Sequence, residues 1–365
     1  MDLENLEKIL ENEPDFRLKQ ANEAVFKKYI SDWSDATFFT KELREKLNKE
    51  CPLEILAETL FSKNQKTNNT HILTTVKNGV SGADSVKAKI TLKDGLEIET
   101  VLMRHEDGRN TVCVSSQVGC PLGCLFCATG KMGFKRNLSV NEILEQAIFF
   151  NRYLKKIALS EVEGSSFGVT NVTFMGMGEP FLNYENVLKA IRILNDKNYF
   201  NIGVRSISVS TAGIVEGIEK FLKEGLQLNL AISLHAPNNK LRTELMPISK
   251  KYSLEKVLSA VDNYILATKR KVMFEYVLIK DVNDSKECAE ELAKLMHNPS
   301  TPLRTRKLYF VNLILYNATG TFKPSTPQRV EVFKKILKKS GVNFVQRYRF
   351  GDDIKAACGQ FATSK

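Results

Sequence analysis

The chain has 365 residues, 43% of them hydrophobic, and 53 Lys and Arg against 42 Asp and Glu give it a formal charge of +11. That is enough apolar material for one large domain and a small one, while no apolar run reaches the ~18 residues that span a bilayer, and the acidic N-terminus MDLENLEKILENEPDF is unlike a signal peptide. Seven cysteines, an odd number, argue against a disulfide framework and for a reducing cytoplasm, and the basic excess favours a polyanionic partner without naming it.

Residues 1–86 read as a helical accessory domain. Leu3, Leu6 and Leu10, then Ala21, Ala24, Val25 and Tyr29, recur at spacings of three and four, and Ser81 to Asp84 is a plausible boundary before the pattern changes. From Ala88 the period becomes two. Ile90, Leu92, Leu96 and Ile98 alternate with polar residues around Asp94-Gly95, a type I′ signal, so a hairpin is expected over 88–103. It carries Glu99, which by itself reads as an ordinary solvated strand residue.

A strand at 111–115 leads into Gly119 to Phe134, GCPLGCLFCATGKMGF, where Cys120, Cys124 and Cys127 have C-x3-C-x2-C spacing. Three soft thiolates converging from a Gly-containing loop suit zinc or an iron–sulfur centre. A closed zinc site would need a fourth ligand such as Cys113 or a remote His105 or His235, whereas a [4Fe–4S] cluster on three thiolates leaves one iron open.

A helix opened by the Ser139 to Glu142 capping box follows. Strands are then predicted at 170–175, 205–210, 227–234, 272–279 and 307–315, and helices at 184–197, 214–224, 253–268, 284–297 and 326–339. Asp284 with Glu287, and Thr326 before Pro327, read as helix caps. Six βα units predict an α/β fold, a partial (β/α)6 barrel with its site at the C-terminal ends of the strands.

The loops at that rim carry Gly178 and Glu179 in MGMGEP, Ser210, then Ser233, Leu234 and His235, and finally Asn317. His235 taken alone suits a structural histidine. Cys51 and Cys288 read as packing thiols. Cys358 differs, because its short Gly-containing tail can fold back over the barrel mouth, where a thiolate is a competent nucleophile towards a sulfonium methyl group.

The series TVCVSSQVGCPLGCLFCATG, MGMGEP, SLHAP, EYVLIKDVNDS and GDDIKAACGQ resembles the RlmN and Cfr group of radical S-adenosylmethionine (SAM) adenine methyltransferases, across nearly the whole chain. The resemblance implies a radical-SAM barrel over 87–365 and a [4Fe–4S] cluster on Cys120, Cys124 and Cys127. It implies two SAM molecules per turnover: one methylates Cys358, and the second, held near Gly178, Glu179, Ser210, Ser233, Leu234, His235 and Asn317, is cleaved to a radical that activates the methyl group. Glu99 would remove the ring proton, and Cys113 would form a disulfide with Cys358 to release the base. Implied partners are 23S rRNA, tRNA and an electron donor such as flavodoxin or ferredoxin, with a monomeric enzyme in the cytoplasm and no membrane.

Folded RNA fits the basic charge, and a buried base must be extruded to react. Within the group, Gly351-Asp352-Asp353-Ile354, Ser233 to Pro237 and Glu179-Pro180 look RlmN-like, which means methylation at C2. Glu13 to Gln20 and Lys307-Leu308-Tyr309 lean towards Cfr and C8; C2 is favoured. A radical-SAM enzyme of another substrate, needing neither Cys113 nor Cys358, and a zinc-dependent RNA-binding protein are the competing readings.

Overall fold

The structure, a computed structural model, describes residues 2–62, 72–73, 84–158, 168–297 and 303–363. Helices α1 (Leu3–Leu10), α2 (Phe16–Phe26) and α3 (Lys41–Glu50) open the chain. Asp2 and Thr40 cap α1 and α3 by accepting from the Asn5 and Leu43 amides. The apolar faces close on Trp33, whose indole donates to the Cys51 carbonyl at 2.8 Å, in a small core with Leu6, Leu10, Val25, Phe26 and Leu47. The helical stretch is shorter than expected. Strand β1 (Leu56–Phe61) already belongs to the main sheet, with the short β2 (Ile72–Leu73) at its outer edge. Of the expected boundary at Ser81 to Asp84, residues 81–83 lie outside the described residues.

Strands β3 (Ser85–Thr91) and β4 (Glu97–Arg104) form the expected hairpin, with Lys89 opposite Glu99 and Ile90 opposite Ile98. Its turn is not type I′. Gly95 takes φ +79° but Asp94 does not enter the left-handed region, and the Gly95 amide closes on the Leu92 carbonyl at 2.9 Å. Lys93 adds a third loop residue, which only Gly95 has to accommodate.

After β5 (Asn110–Cys113), the cysteine loop is framed by an antiparallel pair, β6 (Gln117–Gly119) and β7 (Phe134–Asn137), with the one-turn α4 (Ala128–Lys131) between them. Helix α5 (Val140–Ala158) starts at a reciprocal box: the Glu142 amide donates to Ser139 Oγ at 3.3 Å, and the Ser139 amide to Glu142 Oε2 at 2.8 Å. The repeat then runs β8 (Asn171–Phe174), α6 (Tyr184–Asn195), β9 (Ile207–Thr211), α7 (Val215–Lys223), β10 (Asn229–Ser233), α8 (Asn239–Leu245), α9 (Leu254–Thr268) and β11 (Val272–Leu278). It ends with α10 (Lys286–Met296), α11 (Leu303–Arg306), β12 (Tyr309–Leu315), α12 (Pro327–Lys339) and a short β13 (Phe344–Gln346).

One sheet, ordered 13-12-11-10-9-8-5-4-3-1-2, results. It is parallel from β13 to β5 and antiparallel beyond. The fold is therefore the expected α/β arrangement, plus a seventh parallel strand, β13, that the sequence did not announce. Helix α12 is capped by Thr326 as expected, but α10 is capped by Ser285, which accepts from the Cys288 amide at 3.2 Å. Asp284 is instead taken by Arg329 at 2.7 Å and by the Asp281 amide at 3.0 Å, because an ion pair outcompetes a neutral cap there.

The sheet curls without closing. Arg347, just past β13, reaches Met175 Sδ, just past β8, at 3.3 Å, and His105 beyond β4 meets Phe350 edge-on at 4.8 Å. The curl gathers the loops after the strands at one mouth. Among the described residues, no helix is long and apolar enough to cross a membrane.

Candidate active site

The cysteine loop is held by glycine. A Cβ on Gly119, at φ +74°, would stand 1.8 Å from the Gly133 carbonyl oxygen, and one on Gly130 would stand 2.9 Å from the Cys124 nitrogen. That close approach at Gly119 lets the Cys120 amide donate to the Gly133 carbonyl at 2.9 Å, and the Leu125 amide donates to the Leu245 carbonyl at 3.0 Å. Cys120, Cys124 and Cys127 consequently line one cavity at the barrel mouth. Burial pushes the Cys120 thiol up to about 12 and Cys124 well above its ordinary value, so taking up iron as thiolates would release protons.

The donor set fits a cubane cluster better than zinc. Cys113 and His105 are not on this cavity; His235 is, but among the described residues no three His, Cys, Asp or Glu side chains stand close enough to hold a single metal ion. A four-iron cluster distributes its ligands over separate irons and tolerates that wider spacing.

Gly178, Glu179, Ser210, Ser233 and His235 line the same cavity. Gly178 sits at φ +98°, where a Cβ would press on the Gln117 side chain at 2.5 Å. Glu179 is buried and receives the Ala212 amide at 2.7 Å and the Phe181 amide at 3.0 Å, yet burial still lifts its carboxyl to about 7. His235 accepts from the Val277 amide at Nδ1, 3.1 Å, which leaves its proton on Nε2; burial first, and Arg242 second, push it down to about 3. It is a neutral ring with Phe126 edge-on at 4.7 Å. Leu234 is fully buried and does not reach the cavity. Asn317 stands elsewhere too, donating to the Cys358 carbonyl at 3.0 Å.

Cys113 and Cys358 come together in an adjoining, smaller cavity that also contains Arg347, and Cys358 opens onto both cavities. Cys358 is the exposed thiol of the pair and Cys113 the buried one. Burial raises both thiols, Cys113 to about 12, and Arg347 opposes the rise at each. The tail is seated by bonds from distant segments: besides Asn317, the Ala128 amide donates to the Gly359 carbonyl at 2.8 Å and Thr129 Oγ1 to the Phe361 carbonyl at 2.7 Å.

Glu99 departs from the solvated strand residue that its position suggests. It is 4% exposed, lies 2.6 Å from Lys87 Nζ, and takes the Ala362 amide at 2.9 Å on its other oxygen. Burial raises its carboxyl and Lys87 opposes the rise. It does not line the cavity that holds the thiols.

Three further residues were missed in the sequence. Lys87 could have been found, because hairpin register puts it diagonal to Glu99 on one face. Arg347 carries no local signal. Nor does Arg242, fully buried and, among the described residues, without a carboxylate partner, whose guanidinium donates to the carbonyls of Ala212 (2.6 Å), Ser233 (3.1 Å), Leu234 (3.2 Å) and Tyr252 (3.3 Å) and to Ser249 Oγ (3.0 Å). It ties three rim loops together beneath the cavity.

Comparison with known proteins points the same way. The radical SAM superfamily profile matches residues 114–296. A Streptococcus gordonii protein described as "Probable dual-specificity RNA methyltransferase RlmN" is 40% identical over 357 residues, 97% of this chain and 90% of that one. A Streptococcus thermophilus protein of the same description is 39% identical over 96% of this chain and 84% of its own. Among solved structures, a radical SAM methyltransferase from Sphaerobacter thermophilus superposes with a TM-score of 0.83 at 36% identity, covering 99% of this chain and 97% of that one.

Proposed function

Because the chain belongs to the radical-SAM RNA methyltransferases of the RlmN type, we propose that it methylates carbon 2 of an adenine in the peptidyl-transferase centre of 23S rRNA, and an anticodon-adjacent adenine of some tRNAs, through S-methylated Cys358. The observation that carries this reading is the pairing of Cys113 and Cys358 in a cavity that adjoins the one lined by Cys120, Cys124 and Cys127. A radical-SAM enzyme with another substrate class has no use for that pair.

Cys120, Cys124 and Cys127 would hold a [4Fe–4S] cluster. With SAM, two molecules per turnover, and an electron from a flavodoxin or ferredoxin, it supplies a methyl group and the one-electron chemistry that activates it. This chain's residues do the rest. Cys358 loses its thiol proton and takes the methyl group, helped by the positive charge of Arg347. Glu179, Ser210, Ser233 and His235 line the SAM side of the cavity, and Glu179 has the acceptor oxygens to orient an ammonium group. Glu99 removes the proton from the ring carbon, a task suited to a carboxylate whose affinity for protons is raised by burial. Cys113 would then attack the Cys358 sulfur, the disulfide forming as the bond from that sulfur to the transferred carbon breaks; the carbon takes up a proton to leave as the methyl group of the base, and a thiol reductant reopens the disulfide for the next turnover.

Preference for C2 over C8 rests on motif likeness and on the relatives' descriptions. The phrase "dual-specificity" in them supports more than one RNA class. Basic charge supports an RNA partner, and a cytoplasmic monomer is the simplest form. The test is nucleoside mass spectrometry of rRNA and tRNA from cells with and without the gene. Gene-dependent 2-methyladenosine is expected; 8-methyladenosine instead moves the product to C8, and neither base ends the proposal. Cys113→Ala is expected to trap RNA covalently on Cys358, seen as a nucleotide mass on the Cys358 peptide after nuclease digestion.

A further inference from the structure

The β3–β4 hairpin puts a lysine where an apolar residue belongs. Lys87 is 6% exposed and Glu99 is 4% exposed, and they meet at 2.6 Å on the hairpin face that the C-terminal tail covers. An ion pair taken out of water has to find further hydrogen bonds to offset its desolvation. Both members find theirs on the tail. Lys87 Nζ donates to the Lys355 carbonyl at 3.1 Å, and Glu99 Oε2 accepts from the Ala362 amide at 2.9 Å.

Those two contacts bracket Cys358. Lys355 is three residues before it and Ala362 four residues after, so one buried pair grips both ends of the segment that carries the thiol. The segment has no helix or strand of its own to set its course. Neighbouring apolar residues Val101 and Met103 pack on the same cavity as Ala356, Ala357 and Phe361 but give no direction along the chain.

We propose that Lys87 is the positioning residue of this reaction, clamping the two ends of the Cys358 segment to the hairpin through its ion pair with Glu99. It rests on the function proposed above only in assigning roles to Cys358 and Glu99; the clamp itself is a matter of geometry. Because Glu99 shares its second oxygen with the Ala362 amide, the clamp also ties the placement of the thiol to the placement of the base. A carboxylate so engaged reaches a substrate only after that amide lets go.

Amide hydrogen exchange on the full-length protein, without RNA or SAM, tests the clamp. In Lys87→Met the amides of residues 355–362 are expected to exchange about tenfold faster than in wild type, and those of the cysteine loop, apart from Ala128, whose amide bonds the tail, to keep their wild-type rates. Lys87→Arg, which keeps the charge, is expected to restore the tail to within about twofold of wild type. Lys87→Met leaves Glu99 buried and unpaired and can fail to fold, so the double variant Lys87→Met with Glu99→Gln, which buries no unpaired charge, is measured alongside it. Tail amides as protected as in wild type in either variant overturn the clamp, as does an Arg variant that exchanges as fast as Lys87→Met. The exchange data and the nucleoside assay fail independently: protein that shows the clamp but makes no methyladenosine sinks the function and leaves the geometry, while the converse sinks the clamp alone.

Discussion

The cysteine loop and the Cys358 tail open onto the same cavity, but they are held there in opposite ways. The loop spans eight residues between its outer thiols, and its shape comes mostly from within: Gly119 and Gly130 allow backbone contacts that no other residue permits, and β6 pairs with β7 to close it. The tail borrows its shape. Lys87, Glu99, Ala128, Thr129 and Asn317, drawn from three parts of the chain, hold it by single hydrogen bonds. A local device of this kind is set by spacing; a borrowed one exists only once the barrel and hairpin have met. The arrangement suits the proposed division of labour, since a cluster ligand set has to stay rigid while a methyl-carrying thiol has to be released and re-seated.

The contrast can be broken most severely at the loop. Cys124→Ser removes one of the three loop thiolates, and anaerobically prepared protein is expected to lose most of its iron and acid-labile sulfide and essentially all methyladenosine production. Wild-type iron content in that variant would remove the loop from the cluster site. A smaller effect is expected at the loop's frame. Gly119→Ala places a methyl group against the Gly133 carbonyl at a left-handed φ, at a cost of about 3 kcal/mol. Thermal unfolding of the cluster-free protein should show the loss, and reconstituted iron per chain should fall with it.

The smallest change sharpens the comparison at the tail. Asn317→Ala deletes one donor to the Cys358 carbonyl, worth about 1 kcal/mol. It is expected to speed alkylation of Cys358 by a maleimide, read by mass spectrometry, and to leave iron content at the wild-type level. A variant that lost iron while its tail stayed protected would return Asn317 to the cluster and SAM side, where the family resemblance put it.

Much of this site was legible before the fold was known, though unevenly. Cys120, Cys124 and Cys127 share one short stretch, so their spacing alone states that they converge. Gly178 and Glu179, in a stretch that alone reads as an ordinary turn, were visible because MGMGEP follows the cysteines by one βα unit and resembles the Gly-Glu motif of radical-SAM enzymes. Glu99 looked like a solvated strand residue, since nothing in β4 reveals that a tail reaching Ala362, 263 residues later, will cover it. Leu234, just past the end of β10, is buried between Ser233 and His235, which line the cavity. Asn317 lay at the right rim and faced the other thiol. Arg242 and Arg347 are both surface-type residues by composition, and both were invisible, for different reasons: Arg347 meets Met175, 172 positions away, whereas four of Arg242's five partners lie within ten positions and only the fold turns its guanidinium inward onto them.

By itself, the sequence determined the six apolar strands, the helices between them and the thiolate loop, because each of these is written in periodicity or in spacing over fewer than about twenty residues, and it carried the family resemblance in motifs spread along nearly the whole chain. Only the tertiary structure decided that Cys113 and Cys358 share a cavity, that a seventh strand carries Arg347 back across the mouth, and that Lys87 and Glu99 fasten the tail. Those contacts join residues up to 268 positions apart, as between Lys87 and Lys355. Their energies come from burial and from paired charges, which depend on what surrounds a residue in space and leave no mark on the residues beside it in the chain.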